Sequence, residues 1–140
     1  MNVVPFRAEH AYALELQLGQ RGIKPFLTKA YVESLVGDYA FSGLIGDRVV
    51  AVGGVFKMWE GRGVVWSLID QSAGEHFVAI HKAAKGILDA APFRRLEADT
   101  PCTFAQGHRW LRLLGFHLEA PCMEAYQPDG TDSALYARIR

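Results

Sequence analysis

The sequence predicts an α+β fold with a mixed central sheet of about seven strands and flanking helices. Three observations predict it. Runs rich in β-branched and aromatic residues fill the centre and the C-terminal part of the 140-residue chain. Amphipathic runs at helical spacing alternate with the later strands. Clusters of Gly, Asp and Pro mark the turns between these runs.

The N-terminal third is predicted to be a strand followed by two helices. The strand covers residues 2–6. The first helix has an apolar face at helical spacing and ends at glycines: Ala11, Leu14, Leu18, Gly19 and Gly22. Thr28 is a favourable N-cap for the second helix, which Gly37 ends.

The centre of the chain is predicted to be a three-stranded antiparallel meander. Its strands cover residues 40–45, 49–58 and 64–69. Between them stand two groups of turn-forming residues, Gly46-Asp47 and Gly61-Arg62-Gly63.

Two helices alternate with strands in the rest of the chain. The first covers residues 74–90 and is apolar at every third or fourth position: Phe77, Ile80, Ala84, Ile87 and Leu88. A strand over 94–98, a helix over 103–114 and strands over 116–126 and 133–139 follow. The helix over 74–90 therefore links a parallel pair in a mostly antiparallel sheet, and the order is β-α-α-β-β-β-α-β-α-β-β.

The composition is that of one globular domain over residues 1–140. Half of the residues are apolar and 21% are charged, which is typical of a chain with a packed core. The 15 Lys and Arg balance the 15 Asp and Glu, so no basic surface field attracts nucleic acid or an anionic membrane. We expect neither as a partner.

The chain shows no segment typical of membrane insertion or secretion. The longest apolar run, residues 49–56, is far shorter than the ~18 residues that cross a bilayer. The first ten residues lack the basic segment and the long apolar run of a secretion signal. We therefore expect a cytoplasmic protein.

Cysteine and histidine are too sparse to predict a metal site. Cys102 and Cys122 are the only cysteines, and we expect both as reduced, buried thiols. His76 and His81 are five residues apart and diverge on a helix. We expect no bound metal.

Two passages give the element order a more specific meaning. Residues 70–76 read Asp-Gln-Ser-Ala-Gly-Glu-His and stand between a predicted strand and the long helix. Residues 107–116 are predicted as a helix that ends in Leu-Gly-Phe, where the next strand begins. The order and both passages resemble the GNAT superfamily, the N-acetyltransferases that take an acetyl group from acetyl-coenzyme A (acetyl-CoA). This resemblance implies a GNAT-like fold over nearly the whole chain.

The first passage resembles the loop with which this family holds the diphosphate of the coenzyme. Gln71 and Gly74 match its [Q/R]-x-x-G-x-[G/A] pattern, and His76 departs from it. The resemblance implies that the amides of Gly74, Glu75 and His76 hold the diphosphate, because a helix N-terminus attracts anions.

The strand before this loop has an implied role as well. The resemblance places the pantetheine arm of the coenzyme along the strand edge at Ser67, Leu68 and Ile69. An alternative interpretation needs no coenzyme, since Asp70 or Ser72 would be an ordinary cap of the following helix.

Transfer of the acetyl group requires a base, and the resemblance implies a carboxylate near the fourth and fifth strands. Asp99, expected just after the fifth strand, is the candidate, and Asp70 is a second one. The alternative for Asp99 is a helix cap in the sequence Asp-Thr-Pro. Leu111 stands where many active members have a tyrosine, and Gln106 lies where an asparagine often holds the pantetheine arm.

A narrower resemblance is to small GNAT-like proteins of tailed phages and prophages, including a type called internal virion protein. Residues 104–110, 126–130 and 135–138 resemble that group. The first hypothesis is therefore an acetyltransferase acting on an amine of a small molecule or a protein, and a homodimer stays open. The alternative is a non-catalytic protein that assembles with phage structural proteins in a virion.

Overall fold

A computed structural model describes all of residues 1–140. Its seven strands are β1 (Asn2–Pro5), β2 (Ala40–Ile45), β3 (Arg48–Trp59), β4 (Arg62–Ile69), β5 (Arg95–Pro101), β6 (His117–Met123) and β7 (Ser133–Ile139). They form one sheet in the order β1-β2-β3-β4-β5-β7-β6. The pair β4–β5 is parallel, whereas β1–β2, β2–β3, β5–β7 and β6–β7 are antiparallel.

Four α-helices accompany the sheet: α1 (Ala8–Tyr12), α2 (Lys29–Ser34), α3 (Phe77–Ala90) and α4 (Ala105–Leu113). Two 3₁₀ segments, Leu18–Phe26 and Ala73–His76, precede α2 and α3. The predicted α+β class, the seven-stranded mixed sheet and the element order are confirmed. None of the helices combines the length and the hydropathy that crossing a membrane requires.

The first helix is much shorter than predicted. It ends at Tyr12, and Leu18, which was expected to face inward, is 79% exposed. Leu16 forms an isolated antiparallel bridge with Asp70, so the chain after α1 is extended. Leu14 and Leu16 are buried in that extended segment. The helix prediction is wrong here because a long-range pairing overrides the local apolar spacing.

Two later boundaries also differ from the prediction. The residues Ala73–His76, expected to begin the long helix, form a 3₁₀ turn, and the helix itself begins at Phe77. Strand β5 continues to Pro101 because it pairs with β7 as far as Ser133. Asp99 therefore lies inside β5 and not after it.

The chain divides into two compact units, the first comprising Met1–Phe56 and Trp66–Ala91. In this unit Thr28 caps α2 as predicted, since its Oγ1 accepts a hydrogen bond from the Tyr31 amide at 3.2 Å. One buried hydrophobic cluster of the unit consists of Phe6, Ala11, Leu14, Leu16, Val32, Leu35, Ala40, Val49, Val52 and Leu68.

The second unit comprises Lys57–Val65 and Pro92–Arg140. Its parallel β4–β5 pairing is short and joins Arg62 to Arg95, Gly63 to Leu96, and Val64 to Glu97. Its buried apolar residues include Phe93, Leu96, Ala98, Leu111, Leu114, Phe116, Ala134, Tyr136 and Ala137. That residues 1–140 act as one domain stays a prediction.

Candidate functional site

In the first unit, the carboxyl end of β4 is paired with the segment that follows α1. The Gln17 amide donates to the Ile69 carbonyl at 2.9 Å, and the Gln71 amide donates to the Glu15 carbonyl at 2.7 Å. On the other side of β4, the Asp70 amide donates to Val50 of β3 at 2.9 Å. The outward edge of β4 is thus bordered by residues that sequence reasoning did not assign to the site.

The side chain of Gln20 completes this pairing. Its Nε2 donates to the Ser67 carbonyl at 2.8 Å, and its Oε1 accepts from the Ile69 amide at 2.9 Å. These backbone groups are the ones that the sequence analysis assigned to the pantetheine arm. Leu68, the third assigned residue, has its side chain buried in the core. No local sequence pattern identifies Gln20, because its partners are 47 and 49 residues away.

The turn after β4 is organised by Asp70. Its Oδ1 accepts from the amide and the hydroxyl of Ser72 at 2.9 and 2.5 Å, and its Oδ2 accepts from the Glu15 amide at 2.8 Å. Burial alone would raise the pKa of Asp70, but these hydrogen bonds outweigh it and lower that pKa. Asp70 is therefore an ionised acceptor that holds the turn, which argues against it as the base.

The predicted diphosphate loop is a single 3₁₀ turn in front of α3, with Ala73 buried. Gly74 is exposed, and a Cβ added there would meet no atom within 4 Å. Glu75 is exposed as well, and its Oε1 lies 3.3 Å from Nε2 of His76. The Oε1 of Gln71 accepts a hydrogen bond from Nη2 of Arg21 at 2.9 Å. Open space at Gly74 and the Arg21 cation suit an anionic group, while Glu75 opposes it.

An unpaired donor lies next to this strand edge in the sequence. Nε1 of Trp66 is buried and has no hydrogen-bond partner, although its ring packs edge-on against Phe6 at 5.2 Å between centroids. Most buried polar atoms have a hydrogen-bond partner, so this buried Nε1 beside the core is an exception. The end of β4 thus combines open space at the exposed Gly74 with a nearby Arg21 cation, and both suit the diphosphate of a bound coenzyme.

In the second unit, Asp99 is half-buried in β5 and held by the β6–β7 connection. Nε2 of Gln127 donates to Asp99 Oδ2 at 2.7 Å and to Ser133 Oγ at 2.6 Å. The interpretation of Asp99 as a helix cap is wrong, because the strand continues beyond it. Burial raises the pKa of Asp99, and the Gln127 hydrogen bond offsets only part of that rise. A carboxylate with a raised pKa is a better proton acceptor than an exposed one.

Tyr126 is a further ionisable group near Asp99 that sequence reasoning did not assign to the site. Partial burial and the charges of Asp99 and Glu97 raise the pKa of its phenol above 10.0. The hydroxyl therefore stays protonated at neutral pH and is a donor. Its position directly before Gln127, in front of a Pro-Asp-Gly turn, is the only signal in the sequence.

The candidate residues of helix α4 do not lie beside Asp99. Gln106 is exposed in the first turn of α4. A Cβ on Gly107 would collide with the side chain of Thr100, so Thr100 faces α4. Asp99, its neighbour in the strand, faces the opposite side. Leu111 is 8% exposed and belongs to the core of this unit.

Cys102 and His108 approach each other without forming a nucleophile and base. Nε2 of His108 donates to the backbone carbonyl of Cys102 at 3.0 Å, and Nδ1 accepts from the Tyr136 hydroxyl at 2.7 Å. Both ring nitrogens are therefore engaged. The Cys102 thiol donates to the Pro121 carbonyl at 3.5 Å, and Cys122 is exposed, so the expectation that both thiols are buried is wrong. Nowhere in the chain do three or more His, Cys, Asp or Glu side chains gather in a way that could hold a metal ion.

Comparisons with known proteins identify the fold. No protein-family model matches the sequence, and no curated protein matches it. Solved structures do match, among them Ard1 from Thermoplasma volcanium, with 14% identity, a TM-score of 0.76, and coverage of 99% of this chain and 96% of that one. The ribosomal-protein-S18-alanine N-acetyltransferase from Escherichia coli matches with 13% identity, a TM-score of 0.75, and coverage of 99% and 92%.

A GNAT-family acetyltransferase from Bacillus anthracis matches with 15% identity and a TM-score of 0.68, over 98% of this chain and 93% of that chain. At this level of identity the likeness shows the fold and not the activity. The chain has the GNAT fold, as the sequence predicted.

Proposed function

We propose that the protein is an N-acetyltransferase that transfers an acetyl group from acetyl-CoA to a primary amine. The observation that carries this proposal is the GNAT fold, which extends over essentially the whole chain. The half-buried carboxylate of Asp99 supports it, because direct transfer to an amine needs a proton acceptor.

When bound, acetyl-CoA supplies an acetyl group activated as a thioester. The amides of Gly74, Glu75 and His76 hold its diphosphate, and the Arg21 guanidinium adds a positive charge beside Gln71. The edge of β4 binds the pantetheine arm through backbone hydrogen bonds.

Asp99 accepts the proton that the amine loses. The hydrogen bond from Gln127 to Oδ2 keeps the carboxylate in one orientation. The acceptor is an amine of a small molecule or a protein. One structural neighbour is named for acetylating an alanine of a ribosomal protein, which supports testing peptides among the acceptors.

A second candidate is a GNAT-fold protein without catalysis, located in a virion and bound to phage structural proteins. Two observations favour it. Gln20 holds the edge of β4, and Leu111 is buried in the core where many active members of the family have a tyrosine. The resemblance to phage proteins also supports this second candidate. Under the first proposal the protein is a cytoplasmic enzyme.

An assay that measures release of the coenzyme thiol from acetyl-CoA, in the presence of a panel of small amines and N-terminal peptides, distinguishes the two candidates. We expect Asp99→Asn to lower the rate by at least about 100-fold, the usual contribution of a positioned base. Asp47→Asn, in the exposed β2–β3 turn, is the matched control and retains activity. Thermal stabilisation by acetyl-CoA without thiol release would favour the non-catalytic candidate. If acetyl-CoA causes no thermal stabilisation and no thiol is released, the proposal is contradicted.

A further inference from the structure

The carboxamide of Gln20 pairs with β4 in the way that an amide of an extended ligand would. It gives one donor to the Ser67 carbonyl and one acceptor to the Ile69 amide. Alternate residues of a strand present their amide and carbonyl to the same side, so one amide group can satisfy both. The side chain therefore satisfies two outward-facing groups of this edge that the backbone pairing at Gln17 leaves open.

The segment that carries Gln20 makes few buried apolar contacts. The 3₁₀ helix Leu18–Phe26 contains no buried residue, and it includes Pro25. Ile23, which is partly buried, packs against the core, and Nη2 of Arg21 reaches Gln71. Segments with few buried apolar contacts open at low free-energy cost.

We infer that Gln20 is a resident occupant of the β4 edge, which an amide-bearing arm of the ligand must displace before it can bind. This inference rests on the proposed function, in which that arm is the pantetheine of acetyl-CoA. Binding then requires the form in which Gln20 has left the edge, and the affinity is lowered by the fraction of molecules in that form. Gln20 thus regulates coenzyme affinity without contributing to chemistry.

The role of Gln20 should affect binding of the pantetheine arm and not binding of the diphosphate. A ligand that uses only the turn at Gly74 does not compete with Gln20. The affinity for 3′-phospho-ADP, which keeps the diphosphate and lacks the pantetheine arm, is therefore independent of Gln20. The affinity for coenzyme A, in contrast, depends on Gln20.

Calorimetric titration of the full chain and its Gln20→Ala variant with both ligands tests this inference. We expect Gln20→Ala to bind coenzyme A about tenfold more tightly, which corresponds to the loss of one or two net hydrogen bonds. The affinity for 3′-phospho-ADP stays unchanged. Leu18→Ala, at a 79% exposed position of the same segment, is the matched control and behaves like the unmodified protein.

The outcomes separate the two proposals. Equal affinity of both proteins for coenzyme A, or weaker binding by Gln20→Ala, overturns the role of Gln20 and leaves the proposed function intact. No binding of coenzyme A by either protein overturns both. A second measurement needs no variant: the side-chain NH₂ resonance of Gln20 should shift towards its solvent-exposed position with coenzyme A and not with 3′-phospho-ADP. An unchanged resonance at saturation with coenzyme A would contradict the inference.

Discussion

Arg62 holds Glu97 through two parallel hydrogen bonds, from Nε to Oε1 at 2.8 Å and from Nη2 to Oε2 at 2.9 Å. Nε of Arg95 adds a third at 2.7 Å, and Arg95 also pairs with Glu119. The hydrogen bond from Arg62 is the main reason why the pKa of Glu97 is lowered, and Arg95 lowers it further. This cluster ties the start of β4 to β5 within the second unit.

Removal of the Glu97 carboxylate should therefore be strongly destabilising. Glu97 is 9% exposed, and its loss leaves two arginines without their shared partner. We expect Glu97→Ala to lower the free energy of unfolding by about 3 kcal/mol, measured by urea denaturation. The exposed ion pair of Lys29 and Glu33 is the control, and Glu33→Ala should change stability little. Equal effects of the two variants would contradict the role of the cluster.

His10 predicts a loss of stability in mild acid. Its Nδ1 accepts a hydrogen bond from the Arg7 amide at 3.2 Å and lies 2.8 Å from Ser42 Oγ, so protonation of Nδ1 removes the bond from the Arg7 amide. Burial, and then the Arg7 charge, lower its pKa below 6.5. The unfolded chain takes up the proton first, so the free energy of unfolding falls as pH decreases below 6.5.

Thermal unfolding between neutral pH and pH 5 checks this prediction. His10→Asn keeps an acceptor near the position of Nδ1 but cannot titrate, so its midpoint should depend less on pH. His117→Gln, at a side chain that is 61% exposed, should retain the pH dependence of the unmodified protein. The same pH dependence in all three proteins would exclude His10 as its source.

The Asp99 carboxylate, which the proposed reaction requires, should lower the stability of the folded protein at neutral pH. Its folded-state pKa is raised above 3.8, so the folded protein holds this proton more tightly than the unfolded chain does. Stability is therefore lost as pH rises from 3.8 through the folded pKa, and the cost persists at neutral pH. We expect Asp99→Asn to unfold at a higher temperature than the unmodified protein at pH 7, an advantage that disappears below pH 3.8. Lower stability of the variant at pH 7 would contradict the raised pKa.

Two helical glycines should respond in opposite ways to alanine. Gly86 lies in α3 with open space around it, so Gly86→Ala should stabilise the protein by about 0.5–1 kcal/mol. A Cβ on Gly107 would lie 2.9 Å from Phe104 Cδ2 and 3.1 Å from Thr100 Cβ. Gly107→Ala should therefore destabilise it by about 1–3 kcal/mol in the same urea assay. Stabilisation by both would show that α4 does not pack this closely on Thr100.

The central meander was predictable because its signals are local. Strand 40–45 was predicted with its exact bounds, and the turn glycines Gly46 and Gly61 have positive φ angles of 59° and 84°. Glycine adopts this conformation without steric cost, so its position marks the turn. Runs of β-branched and aromatic residues between such turns are sufficient to predict the strands.

The remainder depends on partners that are distant in the sequence. The bridge between Leu16 and Asp70 shortened the first helix, and the pairing of Pro101 with Ser133 extended β5 past Asp99. The Gln20 contacts with β4 arise in the same way. A local pattern identifies residues that are able to form a site, but these pairings decide which of them face it.

Amide chemical shifts of the ¹⁵N-labelled full chain during titration with acetyl-CoA test the central claim most directly. Binding at the end of β4 should shift the amides of Ile69, Gly74, Glu75 and His76 in a saturable way. The same titration of Gly74→Glu should shift them much less, because a carboxylate then stands at the diphosphate site. Unchanged positions of these four amides at millimolar acetyl-CoA would contradict the claim that this GNAT fold binds the coenzyme.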